Sequence, residues 1–264
     1  MKIYVLDGAG TAGRTSGVID HTVKRLLEKI EGTEAKWIDY PAAMLRTVGG
    51  KHTWEESSRE GVRLLLEEMT SHDEKVILLA YSAGNKPLHD FLDMFPEFHE
   101  RIMAAGFISD PWRPRNSYQA GTPKPIGWGV MGERPTPIPA KSFWTSVVDD
   151  VISAAWPDAL MRYVADTVEG SFDEMITEAI KLGRLGQFQL SWQLGVIQRD
   201  PIRWFFGIGG RIAQFGNDAY GYLSGRHTNA YVQPFKTNDG NNASLAERLG
   251  DTIAWKVRKD LGLV

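Results

Sequence analysis

The 264-residue chain contains no cysteine. That excludes a disulfide scaffold, a thiolate-bound zinc and a cysteine nucleophile. Neither sign of charge is in large excess: 30 Lys and Arg stand against 33 Asp and Glu, a formal net charge of -3. A general nucleic-acid binder relies on a basic surplus, so none is expected. No apolar run nears the roughly 18 residues of a membrane span, so no transmembrane segment is expected. The N-terminal stretch Met1 to Asp7 has one Lys and a short apolar run ended by an acid. It reads as a strand, too short for a signal peptide, and implies a protein made without export machinery of its own. The chain is long enough to bury a core unaided. What is abundant is aromatic: nine Trp, eight Tyr and eleven Phe. Such numbers point to a large core, an apolar binding face, or both.

The first half alternates two periodicities. Apolar runs at Ile3–Leu6, Lys36–Tyr40, Val76–Ala80, Met103–Ile108 and Phe143–Val148 predict strands. Helical spacing marks Val18–Ile30, Trp54–Met69 and Gly84–Phe95 between them. This alternation predicts an α/β fold with a central parallel sheet flanked by helices. From about Pro157 to Leu223 the strand signal is absent. Residues 159–168, 172–182, 188–197 and 202–220 read as helices instead, with Asp200-Pro201 as an N-cap and first helical residue. A last amphipathic helix, Leu245–Leu261, carries Leu245, Leu249, Ile253 and Val257 at four-residue steps. The organisation is therefore a core of 1–156 and 224–264 interrupted by a helical insert, 157–223. Residues from Trp112 to Pro139 form a long Pro- and Gly-rich loop, a type usually functional or mobile.

Gly8-Ala9-Gly10-Thr11-Ala12-Gly13 matches G-x-G-x-x-G after a strand and before a helix, and Asp39 follows the next strand. A dinucleotide site needs these parts, which keeps an NAD-dependent oxidoreductase as an alternative. Against it, the helix begins near Val18, well past the third Gly, and Asp39 is distant. Small residues in a first strand-to-helix loop have an ordinary structural use as well.

The segment Val76 to Asn85 is more informative. A buried strand runs into Ala80-Tyr81-Ser82-Ala83-Gly84 and a helix follows at once. This is the nucleophile elbow G-x-S-x-G with Ala in the first position. The sharp turn lifts the Ser82 hydroxyl clear of the sheet, and small residues on either side let strand and helix approach. The Ala83 N–H then points at a developing oxyanion, beside a helix N-terminus. The structural alternative is Ser82 as a plain helix cap.

A serine hydrolase of this order needs an acid and then a base after the nucleophile. Of six His, His21, His52 and His72 precede Ser82; His89 lies two turns down its helix; His99 precedes any late strand. His227 remains as the base. The acid should close a strand: Asp149 or Asp150 after the later strand, with Asp110 as the alternative unless it only makes an Asx turn before Pro111.

Asp150-Val151-Ile152-Ser153 resembles the cutinase segment in which the catalytic Asp precedes an apolar pair and a disulfide Cys, here Ser153. More specifically, the chain resembles the lysin B family of mycobacteriophages. The matching pieces are Gly8-Ala9-Gly10, Tyr40-Pro41-Ala42-Ala43, Tyr81-Ser82-Ala83-Gly84, Asp149-Asp150, and His227 with Tyr231. Ala80, Ala83 and Asp149 depart from residues common in that family. The resemblance implies a cutinase-like α/β-hydrolase that cleaves the ester between mycolic acids and arabinogalactan during phage lysis. It would be made in the bacterial host cytoplasm and act on the host envelope. The triad so implied is Ser82, His227 and Asp150, with Ala83 and Thr11 as oxyanion-hole donors and no metal or cofactor. Insert aromatics Trp204, Phe205, Phe206 and Phe215 are candidates to contact the acyl chain. The non-enzymatic alternative is a surface-binding protein that retains the fold.

Overall fold

Five strands form one parallel sheet in the order β2-β1-β3-β4-β5. They are β1 (Lys2–Leu6), β2 (Glu34–Trp37), β3 (Val76–Tyr81), β4 (Ile102–Ile108) and β5 (Ser142–Thr145). The computed structural model describes residues 1–12, 15–43, 51–159, 161–162, 213–218, 220–222, 224–236, 240 and 242–264. Every residue of β3 and β4 is buried, as continuous apolar runs in a sheet covered on both faces require. The chain steps from β1 outward to β2 and then returns to lay β3 on the other side of β1. That reversal opens a crevice at the carboxyl ends of β1 and β3, where open parallel sheets bind ligands.

Two helix layers cover the sheet. Helices α1 (Gly17–Lys29) and α5 (Leu245–Asp260) pack on one face with Ile3, Val5, Ile77 and Leu79. Helices α2 (Trp54–Thr70) and α3 (Asn85–Met94) pack on the other with Tyr4, Leu6, Leu78 and Phe107. Alternate residues of β1 thus feed opposite cores, the period-two rule of a strand. The predicted four-residue stripe of α5 is buried throughout. Ser16 caps α1, and Thr53 with Glu56 and Ser244 with Glu247 form capping boxes on α2 and α5.

Departures from the sequence reading have local causes. β5 stops at Thr145 rather than Val148 because its pairing with β4 ends at Ile108. The elbow residues Ser82–Gly84 form a 3₁₀ turn before α3 begins at Asn85. A short helix α4 (Asn229–Val232) and a two-stranded pair, β6 (Phe235–Lys236) and β7 (Asn242–Ala243), are too brief to leave a periodic signal. The helical insert lies largely outside the described residues, as do Trp204, Phe205 and Phe206; residues 213–218 and 220–222 are helical.

The long loop after β4 is packed. Fully buried Arg113 donates to the carbonyls of Ser153 (2.6 Å), Gly127 (2.8 Å), Ser117 (3.0 Å) and Pro114 (3.2 Å). Gly127 has φ +61°, and a Cβ there would lie 1.9 Å from the Ala155 carbonyl oxygen. The loop is therefore clamped to the segment that carries Asp150.

Candidate active site

Ser82 sits at the carboxyl end of β3 with φ +51°, a left-handed conformation that a residue with a Cβ avoids. The turn depends on its neighbours. A Cβ on Gly84 would lie 2.1 Å from the Leu6 carbonyl oxygen, so only glycine lets the elbow pass β1. A Cβ on Gly8 would lie 3.0 Å from the Tyr81 ring and 3.3 Å from Ser82 Cβ, tight but less severe. Ala80 is fully buried and pairs with Leu6, so alanine fits where the motif has its first glycine.

The structure brings Ser82, His227 and Asp150 together from three distant parts of the chain. Ser82 Oγ lies 2.8 Å from His227 Nε2. His227 Nδ1 is 3.3 and 3.4 Å from the two oxygens of Asp150. Ser109, at the end of β4, inserts its hydroxyl beside them: it donates to Asp150 Oδ2 and lies 3.0 Å from His227 Nδ1. Asp150 also receives the Tyr231 hydroxyl (2.6 Å), the Ser153 hydroxyl (3.1 Å) and the Ile152 N–H (3.1 Å). Burial by itself would raise this carboxyl. The facing His227 and the hydrogen bonds from His227, Ser109 and Tyr231 outweigh it and hold Asp150 below the ordinary carboxylate range. Burial first, then the adjacent Asp150, pushes Tyr231 well above the usual tyrosine value, so it remains a donor.

The imidazole of His227 is flanked by two tyrosines. Tyr81 stacks on it at 5.4 Å between centroids and Tyr222 at 5.0 Å. Tyr81 also donates to the His227 carbonyl (2.8 Å), fixing the late loop to the elbow. Next to Ser82, Trp54 donates its indole N–H to the Ala83 carbonyl (3.2 Å) and stacks on Trp112 at 5.2 Å. Ala83, Val130, Val151, Ile152 and Phe215 form one apolar cluster here, with Trp54, Met131 and Tyr222 packed against it.

Other candidates are placed elsewhere. Asp149 is half exposed and pairs with Arg226. Asp110 makes the Asx turn, accepting the Trp112 N–H at 2.9 Å, and pairs with His89 rather than His227. His99 binds the Leu92 carbonyl and His72 meets the Tyr4 hydroxyl. Thr11 directs its hydroxyl (2.6 Å) and N–H (3.4 Å) to the Gly8 carbonyl, so both donors shape the turn. Phe215 is only 6% exposed, a core member beside the nucleophile.

The glycine-rich loop is clipped at both ends by the buried Asp7, which accepts the N–H groups of Gly8 and Ser16 at 2.7 Å each. α1 begins only after Ser16. Ala12 and Asp39 line a cavity of about 440 Å³ with His52, Glu56 and Glu60. Three carboxylates around that space oppose a pyrophosphate, which removes support from the dinucleotide reading. Among the described residues no group of three His, Asp or Glu is arranged to hold a metal, and no helix is long and apolar enough to cross a membrane.

Ser109 and Tyr222 were not singled out for the site by the sequence, and Tyr81 stood there only as part of the elbow segment. Ser109 stands next to Asp110 at a strand end, where attention falls on the acid.

The sheet order and the elbow after β3 are those of an α/β-hydrolase fold. Lysin B from Mycobacteriophage D29 shares it, with 16% identity over 84% of this chain and 88% of that one and a TM-score of 0.50. The catalytic core domain of acetyl xylan esterase from Trichoderma reesei aligns over 62% of this chain and 91% of its own, at 18% identity and TM-score 0.47. A cutinase-like protein from Cryptococcus sp. aligns over 58% and 78%, at 13% identity and TM-score 0.47. No protein-family model and no curated protein sequence matches the chain.

Proposed function

We propose that the chain is a serine ester hydrolase that cleaves the ester between mycolic acids and arabinogalactan in a mycobacterial-type envelope. The observation that carries the hydrolase reading is the 2.8 Å contact of Ser82 Oγ with His227 Nε2, at an elbow whose serine has φ +51°. His227 takes the Ser82 proton as Oγ attacks the ester carbonyl, and Asp150 stabilises the imidazolium. The tetrahedral intermediate expels the alcohol, which receives the proton from His227. Water, deprotonated by His227, then attacks the acyl-enzyme, and His227 returns the proton to Ser82 Oγ as the acid leaves.

The Ala83 N–H is one oxyanion donor in this reading. The second belongs to the loop after β1. The N–H groups of Gly8, Gly10 and Thr11 already have acceptors. Ala9, packed in the same cluster as Ala83, has none among the described residues, so we assign it that role in place of Thr11.

The substrate assignment draws on the short segments shared with the lysin B family and on the half-buried Trp54, Met131 and Tyr222 at the margin of the apolar cluster beside Ser82. In this role the protein is made in the host cytoplasm and acts on the host envelope. A broader cutinase-like carboxylesterase is the second reading, supported by the same site.

A fluorophosphonate should label Ser82 and no other residue, and Ser82→Ala should lower turnover by about 10⁴ to 10⁶ while melting near wild type. Wild-type activity in a folded Ser82→Ala protein overturns the hydrolase reading. Release of mycolic acid from purified mycolyl-arabinogalactan, beside p-nitrophenyl esters of rising chain length, separates the two substrate readings.

A further inference from the structure

We propose that Ser109 is a positioning residue that bridges Asp150 to His227, extending the relay to four side chains. The proposal rests on the triad reading above and deepens it. The direct His227–Asp150 bonds are long, and Ser109 stands nearer the imidazole. Good N–H···O bonds lie at about 2.7–3.2 Å, and His227 Nδ1 stands 3.3 and 3.4 Å from the Asp150 oxygens. Ser109 Oγ is nearer, at 3.0 Å.

Asp150 is not free to close that gap. Tyr231 and Ser153 hold its Oδ2 and the Ile152 N–H holds its Oδ1. Those donors come from α4 and from the turn after Asp150, both packed against the core. The carboxylate is caged, and the Ser109 hydroxyl fills the space between cage and imidazole.

The direction of each bond follows. Ser109 donates its only hydroxyl proton to Asp150, so its oxygen presents lone pairs to His227 Nδ1. That arrangement requires the proton on Nδ1 and leaves Nε2 free to accept from Ser82. When Nε2 takes the Ser82 proton, the imidazolium faces a hydroxyl dipole already aligned by a carboxylate. No proton passes along the chain; the alignment stabilises the cation.

The backbone supports a dedicated placement. Ser109 is fully buried and has φ +49°, one of five non-glycine residues with positive φ among those described, Ser82 being another. Its N–H continues the β4–β5 ladder to the Thr145 carbonyl at 3.1 Å. An unfavourable conformation kept at a buried strand end is the pattern of a site that needs the side chain there.

The test uses Ser109→Ala and Ser109→Gly in the full chain, with p-nitrophenyl butyrate as substrate. Glycine suits φ +49° and keeps the variant folded if alanine does not. In both, kcat should fall about 10- to 100-fold with KM within about twofold. Combined with Asp150→Asn, Ser109→Gly should add less than about threefold, because both changes act on one relay. A folded Ser109→Gly protein with kcat within about threefold of wild type overturns the bridge, as does full multiplicative loss in the double variant. If Ser82→Ala is inactive while Ser109→Gly is active, the bridge alone fails. If Ser82→Ala is active, both readings fail together.

Discussion

His89 Nε2 lies 2.9 Å from Asp110 Oδ2, with both side chains out of water. Among the described residues there are therefore two buried His–Asp pairs. His89 stacks on Phe107, while Asp110 also accepts the Trp144 indole N–H at 2.9 Å and the Trp112 N–H. Its oxygens thus tie α3, β5 and the long loop to the end of β4. Ser82 contacts the other histidine, His227, which is stacked between two tyrosines, and that difference separates a knot in the core from the candidate site.

The three acids after the elbow should then separate by experiment. Asp150→Asn favours the wrong imidazole tautomer and should lower kcat by about 10⁴. Asp110→Asn should lower stability by about 1–3 kcal/mol, since it disturbs a buried network, while the folded fraction keeps kcat within a few-fold. Asp149→Asn loses one exposed pair with Arg226, worth at most about 1 kcal/mol, and should stay active. Turnover on p-nitrophenyl butyrate beside urea unfolding distinguishes all three, and an inactive, stable Asp149→Asn protein would move the acid by one residue.

Tyr222 stacks on His227, and an aromatic face over an imidazolium contributes about 0.5–2 kcal/mol. Tyr222→Leu should lower kcat by about 3- to 30-fold. Tyr222→Phe keeps the ring and should stay within about twofold. Equal losses in both variants would assign the effect to the hydroxyl instead.

Phe215 offers a check on how the insert meets the core. Its ring packs with Ala83, Val151 and Ile152 and is almost out of water. Phe215→Ala should cost about 3–5 kcal/mol in unfolding free energy. Any loss of activity should be similar for acetyl and long-chain esters. A selective loss on long chains, with stability unchanged, would place the ring on the acyl groove.

Asp218 should make stability depend on pH. Burial, with a smaller contribution from Asp149, pushes its carboxyl up to about 6, against the opposing Gln214 hydrogen bond and Arg226. A raised folded-state pKa means that the stability from this group is full below its ordinary value of 3.8 and is lost as pH rises through about 6. Asp218→Asn keeps an acceptor for Gln214 and carries no charge to bury. Its stability relative to wild type should rise by on the order of 1–3 kcal/mol between pH 3.5 and 7.5, read from urea melts at each pH. A difference that stays constant across this range would show that Asp218 is solvated in the folded protein.

Much of the fold was legible because its signals are local. Val76 to Ala80 is apolar at every position, and only a strand covered on both faces accommodates that. Leu245, Leu249, Ile253 and Val257 announce a helix face by spacing alone, and each is buried. β2 was harder to bound: as an edge strand half open to solvent, Glu34–Trp37 carries little apolar pattern. α4, β6 and β7 are shorter than any period needs to declare itself.

The candidate site divides along the same line. Ser82 was readable because an elbow is a contiguous motif: strand, small residues, serine, glycine. The sequence by itself also restricted the base to His227 by order along the chain, and the acid to a few strand-end aspartates. The family resemblance singled out Asp150, but position at a strand end alone does not separate it from Asp110 and Asp149, which differ in what faces them in the tertiary structure: His227 against His89 and Arg226. The same holds for Ser109, Tyr231, Tyr81 and Tyr222. Hydroxyls and rings are common at strand ends and in loops. Their roles arise when the fold brings distant residues such as Tyr81 and His227, 146 positions apart, into hydrogen-bond range, a proximity that no local pattern encodes.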